Sequence, residues 1–185
     1  MEIYFIEHGN TDWNDYEDPA KNTYLGKPIG GEWNPDNHPE WFELNEVGKA
    51  RAEETARKLD GLLKDDTFDL YCSNKNRAKD SARYFLILRA EEDLALKVDP
   101  SLDEFSFDTG ETPENALSRM NTFVNKRYLE NPERTIVVYS HSREMSHYLS
   151  EISGKKVENI ANGEIIRCDL SQKGTELELK VKERL

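Results

Sequence analysis

The chain has 185 residues, and its 37 acidic against 25 basic side chains leave a formal net charge of −12 at pH 7. That length fits one domain with a sizeable core, while a pI near 4.9 argues against the nucleic-acid backbone or an anionic membrane as partners. An anionic ligand needs a local cationic pocket working against the global field.

Cys72 and Cys168, the only two cysteines, cannot build a disulfide framework or a Cys-rich zinc site. Both lie in apolar, strand-like runs and read as reduced, buried thiols. No apolar run approaches the ~18 residues that span a bilayer. The first strand is predicted directly after Met1, so no secretory leader is expected and the chain reads as soluble and cytoplasmic. Nothing sets its oligomeric state.

Residues 2–7 form a short apolar run closed by Gly9, a buried strand. Residues 8–43 carry Pro19, Pro28, Pro35 and Pro39 with Gly26, Gly30 and Gly31, a density that excludes a helix or central strand over most of the stretch. A loop of that length in a compact domain is usually functional. From Asn45, a candidate N-cap, Val47, Ala50, Ala52, Ala56, Leu59, Leu62 and Leu63 follow helical spacing. Phe68–Cys72 reads as the second strand, followed by a helix from Ser73 or Asn74 through Arg89. Leu94–Val98 is a short third strand ended by Pro100. A loop over 100–112 leads to a helix that opens on Thr112-Pro113-Glu114, a cap before a first-turn proline, and ends near Pro132. Thr135–Tyr139 is the clearest buried strand. A helix over 143–153 stops at Gly154, and Glu164–Leu170 and Leu177–Val181 form two last strands joined by a turn at Ser171–Gly174. Strands alternating with helices predict an α/β, three-layer αβα sandwich with a mostly parallel sheet. The final hairpin supplies an antiparallel edge. The whole chain, 1–185, reads as one domain with an inserted loop at about 28–43.

His8 and His141 each directly follow a predicted strand, and in open α/β sheets ligands sit at the carboxyl ends of strands. Two imidazoles delivered there meet in one cleft. Around them, Ile6-Glu7-His8-Gly9-Asn10-Thr11-Asp12-Trp13-Asn14 resembles the Arg-His-Gly-x-Thr-x-x-Asn signature of the histidine phosphatase superfamily, the phosphoglycerate-mutase-like proteins. Five further segments are similar to that family's in the same order. They are Leu44–Ala50, Cys72–Ala78 with Ser81-Ala82, Leu102-Asp103-Glu104, Gly110-Glu111-Thr112 with Arg119, and Ser140-His141-Ser142. No one segment is specific; six in order are.

The resemblance implies a phosphoglycerate-mutase-like fold and a metal-independent, cofactor-free phosphohydrolase acting on a small phosphorylated molecule. His8 is then the nucleophile, attacking phosphorus in line to give a phosphohistidine that water hydrolyses. A neutral imidazole with its other nitrogen hydrogen-bonded suits that role. Arg77 and a protonated His141 clamp the phosphoryl oxygens. Asn14 donates to one of them, and Thr11 belongs to the same binding segment. Glu104 protonates the leaving oxygen and later activates water, which calls for a raised pKa. A mutase is the narrower option.

One departure stands out. The family's arginine immediately before the nucleophile is Glu7 here. A carboxylate facing a phosphoryl group at about 4 Å in an effective dielectric near 20 turns roughly 4 kcal/mol of attraction into repulsion of the same size. Three alternatives follow. Glu7 turns away and Arg143, two residues past His141, clamps phosphate or pairs with Glu7. Or the domain is a catalytically impaired pseudophosphatase that binds a phosphorylated ligand or a partner protein. Or Glu7 belongs to an altered site for a less anionic substrate. Trp33, His38, Trp41 and Phe42 make the inserted loop aromatic enough to cap a pocket. His147, six residues after His141, falls on a different helical face, so zinc ligation by that pair is not indicated.

Overall fold

The computed structural model describes residues 1–11, 23–24, 27–28, 42–64, 66–90, 94–105, 110–174 and 176–185. Its centre is strand β1 (Glu2–Glu7). After it come the two-residue strands β2 (Thr23–Tyr24) and β3 (Lys27–Pro28), paired antiparallel with each other. Helix α1 (Glu46–Leu63), strand β4 (Phe68–Cys72) and helix α2 (Asn76–Arg89) follow. The short strand β5 (Leu96–Val98) leads into a single 3₁₀ turn, Pro100–Leu102, and helix α3 (Pro113–Glu130). Strand β6 (Thr135–Ser140), helix α4 (Ser142–Ser153) and strands β7 (Ile165–Lys173) and β8 (Glu176–Arg184) complete the chain.

Six strands form one sheet in the order β5-β4-β6-β1-β7-β8. The β5–β4, β4–β6 and β6–β1 pairs are parallel, and β7 and β8 add an antiparallel edge. Because successive strand residues point to opposite faces, β1 feeds two cores. Ile3 and Phe5 pack with Met120, Phe123 and Val124 of α3 and Met145, Tyr148 and Leu149 of α4. Tyr4 and Ile6 pack with Ala56, Leu59 and Leu63 of α1 and Ala78, Ala82 and Phe85 of α2. Each large apolar side chain removed from water this way contributes about 1.5–3 kcal/mol. The result is the three-layer αβα sandwich.

The helix boundaries follow local chemistry. Asn45 Oδ1 accepts the Gly48 N–H at 2.8 Å, Thr112 Oγ1 accepts that of Asn115 at 3.3 Å, and α4 ends on Gly154 with φ 65. Such caps are each worth about 1 kcal/mol. Helix α2 starts later than the predicted Ser73 or Asn74 because the Ser73 hydroxyl is engaged elsewhere: it accepts the Lys75 N–H and donates to Asp103. Strand β5 begins two residues after the predicted Leu94.

The predicted turn at Ser171–Gly174 is corrected. Residues Ser171–Lys173 are strand, pairing with Glu176–Glu178, and the chain reverses after Lys173 where Gly174 takes φ 65. Ser171, Gln172 and Lys173 are exposed, so no apolar alternation marks them as strand. Most of the inserted loop, with Trp33, His38 and Trp41, lies outside the described residues, as does Asn14. Both cysteines are free and buried, and burial pushes the Cys72 thiol up to about 11 and that of Cys168 up to about 12. Among the described residues no helix is long and apolar enough to cross a membrane.

Candidate active site

Three neighbouring parallel strands, β4, β6 and β1, end at the same edge of the sheet and deliver Ser73, His141 and His8 there. The backbone around His8 is held from three sides. Gly9 N–H donates to Ser81 Oγ at 3.0 Å, and that hydroxyl donates to the Arg77 carbonyl. Asn162 Nδ2 donates to the His8 carbonyl at 3.0 Å, and the Gly163 N–H reaches the carbonyls of Glu7 and His8. A Cβ on Gly9 would lie 2.3 Å from the Gly48 carbonyl oxygen, so only glycine lets the strand end pack against the start of α1.

The hydrogen bonds of His8 define its tautomer. Nδ1 lies 2.7 Å from the Gly9 carbonyl oxygen, an acceptor only, so Nδ1 carries the hydrogen. Nε2 then holds the lone pair, and it accepts the Arg77 Nε–H at 3.0 Å. Burial, joined by the Arg77 guanidinium, pushes His8 from 6.5 to about 3, against the Gly9 hydrogen bond. The ring is neutral across the physiological range. Arg77, buried at the start of α2, also pairs with Glu104 through Nη2. The Phe42 ring lies 5.8 Å from the guanidinium, which brings the described end of the inserted loop to the site.

The His141 ring sits 5.2 Å from that of His8, edge to face. Its Nε2 is 2.9 Å from Ser73 Oγ. That hydroxyl spends its hydrogen on Asp103 Oδ1 at 2.9 Å, so His141 Nε2–H must be the donor. Nδ1 is left buried with no partner among the described residues. The expectation of a protonated His141 is corrected: burial first, then Arg77 and His8, hold it well below its ordinary value of 6.5, and its N–H is directed at Ser73.

Glu7 does not turn away to solvent. It is 4% exposed, and its Oε1 lies 3.2 Å from His8 Nε2. Burial, then the neighbouring Glu104, raise its pKa well above 4.5; Arg77 opposes them, Glu144 adds to them, and a hydrogen bond from the Ser142 backbone opposes them. The burial of Glu7 corrects the part of the first alternative in which it turns away; Arg143 is exposed on the first turn of α4. Thr11 is buried and bridges to Leu44. A cleft of about 470 Å³ opens beside Glu104, with Lys75, Asp103, Glu111 and Arg119 on its walls. Among the described residues no group of three or more His, Cys, Asp or Glu is placed to hold a metal ion.

Sequence reasoning missed Glu144. It is 4% exposed, and its Oε1 accepts the Phe105 N–H. Burial raises it from 4.5 to about 7, with the Phe105 hydrogen bond opposing and Glu104 adding. The signal was its position four residues before Tyr148, on the buried stripe of α4, where an acidic residue is out of place. Asn162, which holds the His8 carbonyl, was missed for lack of any local pattern; Ser73 and Asp103, which orient His141, lie within the family-like segments Cys72–Ala78 and Leu102-Asp103-Glu104 but carried no role there. His147, read as zinc-free by spacing, is half-buried, and its Nε2 has no partner among the described residues.

An αβα sandwich with two facing imidazoles at the parallel strand ends defines a phosphoglycerate-mutase-like protein. Residues 3–109 match the model of the histidine phosphatase superfamily, branch 1, and the chain belongs to that family. Solved structures share its fold at low identity. A mycobacterial glucosyl-3-phosphoglycerate phosphatase complexed with VO3 is 15% identical with a TM-score of 0.71, covering 98% of this chain and 97% of its own. Phosphoglycerate mutase from Bacillus anthracis is 16% identical at a TM-score of 0.70, covering 98% and 91%. Phosphoserine phosphatase from Entamoeba histolytica, in complex with 3-phosphoglyceric acid, is 18% identical at 0.65, covering 90% and 89%. A search of curated protein sequences finds no significant match.

Proposed function

We propose that the chain is a metal-independent phosphohydrolase that cleaves a small phosphomonoester through a phosphohistidine on His8. The observation that carries this reading is the His8 ring itself: neutral, tautomer fixed by Gly9, lone pair presented beside Arg77 and His141. That is the ground state of a nitrogen nucleophile.

Nε2 attacks phosphorus as the ester P–O bond breaks, and Glu104, beside the open cleft, gives the leaving oxygen its proton. A water then loses a proton to Glu104 and attacks phosphorus, breaking the P–N bond and returning His8. Arg77 Nε–H moves from the nitrogen lone pair to a phosphoryl oxygen as the bond forms, so the donor is in place before the charge develops. His141 reaches the phosphoryl group as a cation only after gaining a proton on Nδ1, a change that an arriving anion favours. Asn14 and Thr11 are the further candidates for phosphoryl contact. The carboxyl of Glu7 beside the nucleophile favours a second reading, a pseudophosphatase that binds without turnover.

Hydrolysis of para-nitrophenyl phosphate separates them. The native chain is expected to turn over the ester, with His8→Ala lowering kcat at least about a thousandfold and abolishing an acid-labile phosphate on the denatured protein. Equal activity in His8→Ala removes the nucleophile from the mechanism, and no native activity selects the binding reading.

A further inference from the structure

Three carboxyl groups and one guanidinium converge near the Nε2 edge of His8. Glu7 comes from the end of β1, Arg77 from α2, Glu104 from beyond the 3₁₀ turn and Glu144 from α4, with His141 at the end of β6. Arg77 directs its Nε–H at the His8 Nε2 lone pair. An ionised Glu7 would therefore set its own lone pair against that one at 3.2 Å, with Oε2 buried and unpartnered among the described residues. A neutral Glu7 removes that repulsion and leaves no buried, half-satisfied anion. The geometry places the hydrogen on Glu7.

We propose that Glu7 is a catalytic hydrogen-bond donor in acid form, giving its O–H to a non-bridging phosphoryl oxygen and selecting phosphoryl groups that carry a single negative charge. The proposal rests on the phosphohydrolase reading. The proton stays on Glu7 throughout, so no co-reactant is needed.

Charge sets the preference. With protons on Glu7 and Glu144, and with the proton that Glu104 gives to the leaving oxygen, Arg77 leaves the inner site at plus one before the neutral histidines are counted. A monoanion brings it to zero and a dianion to minus one. An arginine in place of Glu7 makes the site one unit more positive and shifts the balance to dianions. The Ser142 backbone N–H at the start of α4, which points at the Glu7 carboxyl, remains a second donor once an oxyanion enters. Loss of the Glu7 proton adds a carboxylate to the cluster of Glu104 and Glu144 and repels any anion, so activity falls as pH rises through its titration.

The experiment compares kcat/KM of the native chain, Glu7→Gln and Glu7→Arg on two esters with one leaving group. Para-nitrophenyl methylphosphonate is a monoanion at every working pH, while para-nitrophenyl phosphate becomes a dianion above a second pKa of about 6. The native rate on the methylphosphonate is expected to fall about tenfold per pH unit on the alkaline side. Glu7→Gln should lower the plateau about tenfold and lose that fall, because an amide donates without titrating. Glu7→Arg should raise the phosphate-to-methylphosphonate ratio about a hundredfold or more above neutral pH. A Gln variant that keeps the alkaline fall, or an Arg variant with an unmoved ratio, overturns the proposal. If the native chain turns over neither ester, the phosphohydrolase reading fails and calorimetry with methyl sulfate, a monoanion, and sulfate, a dianion, decides the charge preference. Tighter native binding of methyl sulfate, inverted in Glu7→Arg, supports the role of Glu7. No inversion, or native binding of neither anion, overturns it.

Discussion

Ser73 Oγ receives hydrogen bonds from Lys75 N–H and His141 Nε2–H and gives its own to Asp103, and this count is what fixes the proton on His141. A hydroxyl has one hydrogen and two acceptor sites, so all three are used. Removing it in Ser73→Ala leaves a buried imidazole N–H and a backbone N–H short of an acceptor, a cost of about 1–3 kcal/mol. The variant is expected to lose that much stability in chemical denaturation, and His141 is free to exchange its hydrogen between ring nitrogens. Nitrogen-15 shifts of the ring report the second effect directly, and an unchanged Nε2–H signal would remove Ser73 from the positioning of His141.

At the scale of elements, the end of β1 and the start of α1 meet backbone to backbone. A Cβ on Gly48 would lie 1.9 Å from the Asn10 carbonyl oxygen, whereas one on Gly61, also in α1, meets nothing within 4 Å. Gly48→Ala is expected to destabilise by about 3 kcal/mol by pushing the His8 loop off the helix, and Gly61→Ala to stabilise by about 0.5–1 kcal/mol. Thermal melts of the pair test this, and similar shifts in both would mean that helix propensity alone governs. What the sequence made legible shares a cause with these two glycines. Asn45, Thr112-Pro113 and Gly154 act on atoms three or four residues away, so the helix ends could be read. His8 and His141 could be placed because the strands before them are apolar runs. Glu144 and Asn162 depend on partners at residues 105 and 8, which no local pattern carries. The β7–β8 ladder through Ser171–Lys173 is stabilised by backbone pairing without burial, and hydropathy is blind to that.

The whole molecule feels the site through pH. His8 is pushed from 6.5 to about 3 and His141 is also lowered, so below 6.5 the unfolded chain binds more protons and stability is lost as pH falls. Asp69 and Glu164, where ion pairs outweigh burial and lower the pKa, add to that acid loss. Glu144, raised from 4.5 to about 7, and Glu7, raised well above 4.5, act oppositely. Above 4.5 the folded chain binds more protons than the unfolded one through these two groups, so stability is lost as pH rises. Between 4.5 and 6.5 the two slopes oppose each other; above 6.5 the histidines contribute nothing further, and the loss from Glu144 continues through about 7 while the net charge of −12 adds self-repulsion. A tenfold difference in proton affinity between the folded and unfolded chain is worth about 1.4 kcal/mol, large against a domain stability of about 5–15 kcal/mol. The melting temperature of the native chain is therefore expected to peak on the acidic side of neutrality. Glu7→Gln removes one of the groups that lose stability as pH rises, so it should melt higher than the native chain on the alkaline side of neutrality by several degrees and move the maximum upward. A native maximum in that alkaline range, unmoved by Glu7→Gln, would mean that Glu7 is ionised in the folded chain at no cost, and that its carboxyl is solvated in a way its burial does not allow.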